Sequence, residues 1–520
     1  MEDLRSGAKR SWSASFQAFL QPSVIKMLFL GFSAGLPILL IFSTLSFWLR
    51  DSGVERASVT FFSWAALSYS FKFIWAPIID RLPLPFLYGR LGQRRSWLLL
   101  TQLFIIVAII GMGMTNPTGN LPVMALFTVL LGFSSASQDV VIDAYRIEAA
   151  EVDMQPLLSA SYIGGYRLGM LLAGAGAVRI SAYFDASAGQ ADTYLYASWQ
   201  SAYLIMAAAM LIGVVTTFII TEPERPDQDN EARKHSMMSY ARFFMVFLVS
   251  VVGFVGVFFL SKPLVVEIKQ TLRDIFMISP HIIGFVVETA RLVIAMSSFA
   301  LIAWGMVRLR FVSRQMVKDA YVAPISDFFE RYGQVALMIL ALIMLYRISD
   351  IVLGAIANVF YLDLQFEKAV IADVALFFGM IMTIVGGALG GLLCMRYGMI
   401  KILILGAVLS ALTNLLFVAL AHIGADVGAL SVVIAADNIS AGIAGAAFVA
   451  YLSSLTSLSF TATQYALFSS LMTLFPKLLA GYSGTMVDAV GYDIFFIGTA
   501  LLGVPVIILI FLINKREVRI

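Results

Sequence analysis

Ser135-Ala136-Ser137-Gln138-Asp139-Val140-Val141-Ile142-Asp143-Ala144-Tyr145-Arg146 sets an amide, two carboxylates, a phenol and a guanidinium inside an apolar run covering 121–149. Polar groups are costly in a bilayer, so such side chains in a spanning segment mark a pathway or an internal pairing. At 100° per residue on an α-helix, Gln138, Tyr145, Arg146, Asp139 and Asp143 fall within an arc of roughly 160°, and Val140, Val141 and Ala144 take the other side. One face meets lipid or neighbouring helices; the other meets something polar.

Composition extends this reading to the whole chain. The 520 residues are 60% hydrophobic and 13% charged, and the mean hydropathy is +0.89, which excludes a soluble globular protein. The fold class is an all-α polytopic membrane protein. The net charge of +3 is small, and the basic residues sit in short segments between apolar runs, which excludes a nucleic-acid partner. The single Cys394 cannot form an intrachain disulfide. No metal-ligand spacing links His235, His281 and His422, and no G-x-x-x-x-G-K-[ST] loop is present, so neither a metal nor another cofactor is expected. Gly31-Phe32-Ser33-Ala34-Gly35 matches the G-x-S-x-G elbow of hydrolases, but that elbow follows a strand and this match lies inside a spanning run. Close helix packing explains it, as it does Gly165/Gly169, Gly386/Gly390 and Gly387/Gly391; no enzyme is expected.

Apolar runs of about 20 residues, the length that crosses a bilayer, occur at 24–49, 57–80, 97–114, 121–149, 157–183 and 199–220, and again at 334–358, 370–395, 400–421, 427–455, 461–488 and 492–513. Two more, at 243–260 and 282–307, flank a segment of alternating charge that reads as an interfacial helix. Fourteen crossings put both termini on one side. With the N-terminus in the cytoplasm, twenty-one Lys and Arg fall in cytoplasmic segments against six outside, the asymmetry of the positive-inside rule. The expected organisation is a cytoplasmic leader (1–23) whose Trp12, Phe16 and Phe19 rest on the membrane surface, and a six-helix half (24–220). A linker with an extra helix pair and amphipathic segments (221–333), a second six-helix half (334–513) and a cytoplasmic tail (514–520) follow.

An internal repeat relates the halves. Ala76-Pro-Ile-Ile-Asp80-Arg81, followed by Gly89-Arg-Leu-Gly92-Gln-Arg94-Arg95, corresponds to Gly391-Leu-Leu-Cys-Met395-Arg396-Tyr-Gly398-Met-Ile-Lys401. Both resemble the G-x-x-x-D-R-x-G-R-R loop signature of the major facilitator superfamily, which implies a fold of two six-helix halves. The departures are Ala76 for the first glycine, an insertion at 82–88, and Met395 where an Asp would sit. The first copy, with Asp80, Arg81, Arg94 and Arg95, is the better candidate for a cytoplasmic gate, joined by Arg146 and by Arg396 of the second copy.

A narrower resemblance rests on longer stretches: S-A-S-Q-D-V-V-I-D-A-Y-R from Ser135, G-Y-R-L-G-M-L from Gly165, K-F-I-W-A-P-I-I-D-R from Lys72, A-P-I-S-D-F-F from Ala323 and T-A-T-Q-Y-A-L from Thr461. Together they resemble the AmpG muropeptide permease family of Gram-negative inner membranes, over the twelve-span core but not the pair at 243–307. The resemblance implies proton-coupled symport of N-acetylglucosaminyl-1,6-anhydro-N-acetylmuramyl peptides from periplasm to cytoplasm for peptidoglycan recycling, a traffic that in many such bacteria sets β-lactamase induction. A permease for another bulky anionic glycan or peptide, a lipid scramblase and a membrane-embedded cell-wall enzyme are the alternatives.

Depth sorts the charges. Half the hydrocarbon core is about 15 Å and a helical residue rises about 1.5 Å. With Ser135 at the middle of its span, Asp139 lies about 6 Å, Asp143 about 12 Å and Arg146 about 16 Å from the centre. Arg146 is therefore expected to snorkel to the cytoplasmic headgroups. Asp139 reaches neither surface and is the first candidate for proton coupling, with Asp143 second. Arg347, Arg167, Lys477 and Lys72 lie at or near mid-span, where cations suit the carboxylates of a peptide stem; internal pairing, such as Arg347 with Asp350, is the competing reading. Gln138, Tyr145, Gln464 and Tyr465 are candidates for sugar contact, weighed against ordinary interhelical bonding. Asp437-Asn438 is the second half's nearest answer to Gln138-Asp139.

Overall fold

The computed structural model describes residues 15, 17–55, 62, 67–187, 194–224, 236–276 and 280–517, and every regular element among them is helical. Expectations placed on Trp12, Phe16, most of 56–66 and 225–235 fall outside the described residues. Eleven helices among the described residues are long and apolar enough to cross a membrane. The expected second, fifth and eleventh spans of the core contribute shorter or more polar helical segments.

The chain divides into two compact units, one formed by Met1–Pro226 with Phe329–Ile520 and the other by Asp227–Phe328. The first six-helix half comprises α1 (Pro22–Ile41), α2 (Ser43–Asp51), α3 (Ala76–Arg81), α4 (Gln93–Gly113), α5 (Leu121–Glu148), α6 (Gln155–Leu171), α7 (Ala177–Ser187), α8 (Tyr196–Ala209) and α9 (Leu211–Ile219). The smaller unit holds α10 (Met237–Leu260), α11 (Lys262–Phe276) and α12 (Pro280–Arg308), and α13 (Ala323–Tyr332) leads out of it. The second half comprises α14 (Ala336–Leu345), α15 (Ile348–Asp363), α16 (Gly379–Tyr397), α17 (Met399–Ile423), α18 (Val427–Leu455), α19 (Thr461–Ala480), α20 (Ser483–Leu501) and α21 (Gly503–Glu517).

Where helices meet in an apolar medium, small residues set how closely they approach. A Cβ on Gly165 of α6 would lie 1.9 Å from the Leu28 carbonyl oxygen of α1, and one on Gly35 would lie 1.9 Å from that of Tyr166. The matching seam of the second half runs between α16 and α18, where a Cβ on Gly386 would lie 2.3 Å from the Ile439 carbonyl oxygen. Each half therefore carries one seam that no side chain can enter. Away from the seams, each half has its own apolar core, one around Trp48, Trp199 and Tyr203, the other around Phe360, Phe417 and Phe496.

Several expected spans are not continuous helices, and three of the breaks bear on the polar groups. The first breaks at Phe42 (φ −98°, ψ −98°), beyond Pro37. The second passes through a 3-10 turn at Lys72–Ile74, and the seventh breaks at Arg347 (φ −99°, ψ 9°) between α14 and α15. A break frees backbone groups to bond elsewhere, and interrupted helices are where transporters build their sites. Lys72 and Arg347, two of the mid-span cations, each stand at such a break.

Within the smaller unit, α10 packs on α12 and α11 packs against α12. Glu288 accepts from Arg291 Nη1 (3.1 Å), the local pair expected from their spacing, and also from Lys269 Nζ (2.7 Å). The Arg291 guanidinium lies 4.0 Å over the Phe258 ring, which satisfies its charge inside the unit.

Candidate functional site

The two halves exchange a cluster of polar contacts where α3, α4 and α5 face the start of α19. Helix α19 begins after Phe460, whose side chain offers no cap to the orphan amides of the first turn. Asp80, at the end of α3, supplies one from the other half: it accepts from the Thr463 amide (2.7 Å), the Thr463 hydroxyl (2.7 Å) and the Ala462 amide (3.2 Å). A carboxylate on a helix N-terminus also meets the positive end of the helix dipole. Arg94, fully buried, donates through Nη2 to Asp80 (2.8 Å), to Glu148 (2.6 Å) and to the Thr461 hydroxyl (2.7 Å), and through Nε to Glu148 (2.9 Å). Thr461 in turn donates to Glu148. Arg81 stacks on Phe460, 5.5 Å from the ring centre.

Arg95 is employed differently. Its guanidinium donates to the Thr217 and Phe218 carbonyls at the end of α9, while Glu222 just beyond accepts from the Arg94 and Arg95 amides at 2.7 and 3.0 Å. The two antiparallel helix ends cap each other within one half. The turn ahead of α4 needs Gly92, which has φ +83° and leaves space for a Cβ only inside the Glu222 side chain. Arg396 is half-buried at the end of α16, the position that corresponds to Arg81. There the second half is joined to the first by close packing, with a Cβ on Gly391 falling 2.9 Å from the Ala160 Cβ.

Arg146 corrects the snorkelling expectation. Its side chain is fully buried and donates to Ser159 (2.6 Å), Asp143 (3.2 Å) and, across to the second half, Ser453 (3.0 Å), with Tyr465 of α19 stacked at 5.1 Å. A guanidinium with that many partners has no need of headgroups.

Three candidate sugar contacts are also engaged elsewhere. Gln138 is buried and donates to Ser33 of α1 (3.1 Å). Gln464 accepts from Arg331 Nη2 (3.0 Å) and the Ser457 amide (2.7 Å), which fastens the end of α13 to the start of α19. Tyr465 carries the Arg146 cation. Tyr145, the fourth, lines a polar cavity of about 340 Å³ with Lys26, Glu148 and Glu222, at the Arg94 end and away from the centre.

Deeper in the bundle the polar groups change character. Lys72 forms a 3.6 Å ion pair with Asp143. Asp139, 7% exposed, accepts no hydrogen bond among the described residues. In the second half, Arg347 donates to Asp350 (3.0 Å), as the i,i+3 reading anticipated, and Ser410 donates to the other oxygen of Asp350 (2.5 Å). Arg347 Nη1 and Ile163 of α6 come within 3.6 and 3.9 Å of the place a Cβ on Gly445 would take. Arg167, one turn beyond Ile163, is near enough to Arg347 for the two charges to act on each other. It has no carboxylate partner among the described residues; its described contact is Met170 Sδ at 3.9 Å. Two guanidiniums, one from each half, thus lie within each other's field, Arg347 with Asp350 as its counter-charge and Arg167 with none among the described residues. Lys477 is exposed on α19.

Glu148, Glu222, Ser453, Thr461 and Thr463 were not among the candidates. One signal for the last two was available: a helix opening after Phe460 lacks its own cap, so a carboxylate must come from elsewhere.

Comparisons with known proteins agree with this architecture. The family model described as acetyl-coenzyme A transporter 1 matches residues 24–121. Transporter AmpG 4 of Rickettsia felis is 31% identical over 95% of this chain and 97% of its own length. The anhydromuropeptide permease of Escherichia coli K12 is 28% identical over 96% of this chain and 81% of its own. Among solved structures, the major facilitator transporter FucP in its outward conformation superposes with a TM-score of 0.60 at 10% identity, covering 95% of this chain and 99% of that one. The proton:xylose symporter XylE gives 0.53 at 13% identity over 95% of each chain. The protein is a membrane transporter for a small molecule, its fold is that of the major facilitator transporters, and the chain belongs to the AmpG family.

Proposed function

We propose that this transporter carries anhydro-muropeptides with protons from periplasm to cytoplasm across the inner membrane, both termini being cytoplasmic. The observation that carries the reading is the convergence of Arg167 and Arg347 from opposite halves. A peptide stem brings free carboxylates, and an anion held between two guanidiniums from separate bodies makes its strongest contacts only when both bodies close on it. Asp139 serves as the coupling group, a buried carboxylate with no hydrogen bond among the described residues. The Asp80 cap on α19 and the Arg94 and Arg146 contacts form the cytoplasmic latch, which must release before cargo leaves on that side. Asp143, paired with Lys72 and Arg146, belongs to the scaffold that holds Asp139.

Arg167 gives the cleaner test of cargo, because Arg347→Ala also strips Asp350 of its partner. Arg167→Gln is expected to reduce uptake of the peptide-bearing substrate about tenfold or more, the loss of one charged hydrogen bond, and to change uptake of the peptide-free disaccharide far less. Equal losses on both would assign the arginine to packing and remove the carboxylate from its role. Preference for some other bulky anion over both would redirect the reading to another anionic glycan or peptide.

A further inference from the structure

We infer that Asp437 is a second proton-exchanging carboxylate, borne by the second half as Asp139 is borne by the first; this rests on the proton-coupled reading above. The two halves repeat one arrangement. In the first, Lys72 at a helix break pairs with Asp143, and Asp139 on α5 stands beside that pair with no described hydrogen bond. In the second, Arg347 at a helix break pairs with Asp350, and Asp437 on α18 stands beside that pair. Helices α5 and α18 are each the fourth spanning element of their half, so the two carboxylates occupy corresponding helices.

The surroundings divide the labour within the second half. Asp350 is held by the Arg347 guanidinium (3.0 Å) on one oxygen and the Ser410 hydroxyl (2.5 Å) on the other. Among the described residues Asp437 receives only the Thr413 hydroxyl at 3.4 Å, longer than an ordinary hydroxyl bond to oxygen. Its neighbour Asn438 is turned away, donating to the Ile434 carbonyl (3.0 Å) and accepting from Thr383 of α16 (2.8 Å). Among the described residues the titratable groups that act on Asp437 are Asp350 and Tyr361 of α15 and Arg347 at its start; α17 presents the neutral Thr413 hydroxyl, and Thr383 of α16 bonds Asn438 instead. Asp437, Asp350 and Arg347 are all partly exposed.

A carboxylate between one like and one opposite charge, without a firm hydrogen bond, changes its protonation when either neighbour changes. When a substrate carboxylate engages Arg347, the positive field at Asp437 weakens and the group takes up a proton. When the substrate leaves, the field returns and the proton is released. Substrate and proton then favour each other's binding by the same factor, as linkage requires. The coupling is a single transfer between water and one carboxylate oxygen and needs no redox partner.

The test uses the full-length protein in vesicles, labelled anhydro-muropeptide, a gradient of one pH unit and a potassium–valinomycin clamp on the membrane potential. Under those conditions each coupled proton multiplies the limiting accumulation ratio by about ten. The wild type is expected to approach about a hundredfold, Asp437→Asn about tenfold, and the Asp139→Asn, Asp437→Asn double variant unity. Exchange of labelled for unlabelled substrate, which needs no net proton movement, is expected to persist in Asp437→Asn, and Asp437→Glu to recover accumulation. Wild-type accumulation in Asp437→Asn overturns the assignment, as does joint loss of exchange and accumulation that Asp437→Glu does not restore. A wild-type protein indifferent to the gradient overturns the proton-coupled reading itself, and the assignment falls with it.

Discussion

Asp139→Asn is expected to leave the transporter in the membrane and able to exchange labelled for unlabelled muropeptide, while lowering its limiting accumulation by at least about tenfold per pH unit of gradient. The structural cost should be small. Asn is nearly isosteric, the carboxylate it replaces accepts no hydrogen bond among the described residues, and Lys72 keeps Asp143 as its partner. Removing a charge from a buried position without firm partners leaves no other group unpaired. What is lost is the group's ability to cycle a proton. If protons enter with the substrate as proposed, wild-type uptake should rise as the outside pH falls, and that response should become shallower in the variant. Full accumulation in Asp139→Asn that still collapses on adding a protonophore would take Asp139 out of the coupling step.

The largest structural effect is expected from Arg94→Ala. Arg94 is fully buried and bridges Asp80, Glu148 and Thr461. Its loss takes the Arg94 charge away from two carboxylates whose side chains are 6% and 0% exposed. Breaking a buried pair by deleting one partner typically costs about 3–5 kcal/mol. Because Asp80 also caps α19 in the opposite half, the loss should loosen the contact between halves as well as the first half itself. Asp80→Ala makes a useful companion: it removes the cap but leaves Arg94 paired with Glu148, so it should free the latch at a smaller cost in stability. Thermal unfolding in detergent reads the first effect, and proteolysis at the start of α19 reads the second. Arg94→Ala with wild-type stability would mean that the cluster binds no more tightly than an exposed ion pair.

The fold was readable because bilayer physics leaves few options: runs of about 20 apolar residues must be helices, and basic loops orient them. The glycine seams were readable for the same reason, since Gly165 and Gly386 have no other plausible use inside a span. The break at Arg347 was not, because no proline or glycine lies within a turn of it to signal an interruption. Within the site, depth along one helix separated Asp139 from Arg146 but misjudged what Arg146 does. That calculation treats a helix as if alone in lipid, whereas the partners of Arg146, Ser159 and Ser453, come from helices distant in sequence. Gln464 and Tyr145 were misplaced by the same omission: a polar side chain near a helix end serves caps and loops before cargo. Asp80 was found from a loop signature, yet its physical task, capping α19, became visible only with the two halves together.

The central claim is that substrate import is driven by protons and selects for the peptide stem. The most direct test is uptake by the purified wild-type protein in vesicles under an imposed inward proton gradient, with labelled anhydro-muropeptide and, in parallel, the same disaccharide without its stem. Accumulation of the peptide-bearing substrate that vanishes when the gradient is collapsed, and that exceeds accumulation of the bare disaccharide, is the predicted result. Equilibration of both substrates regardless of the gradient would contradict it.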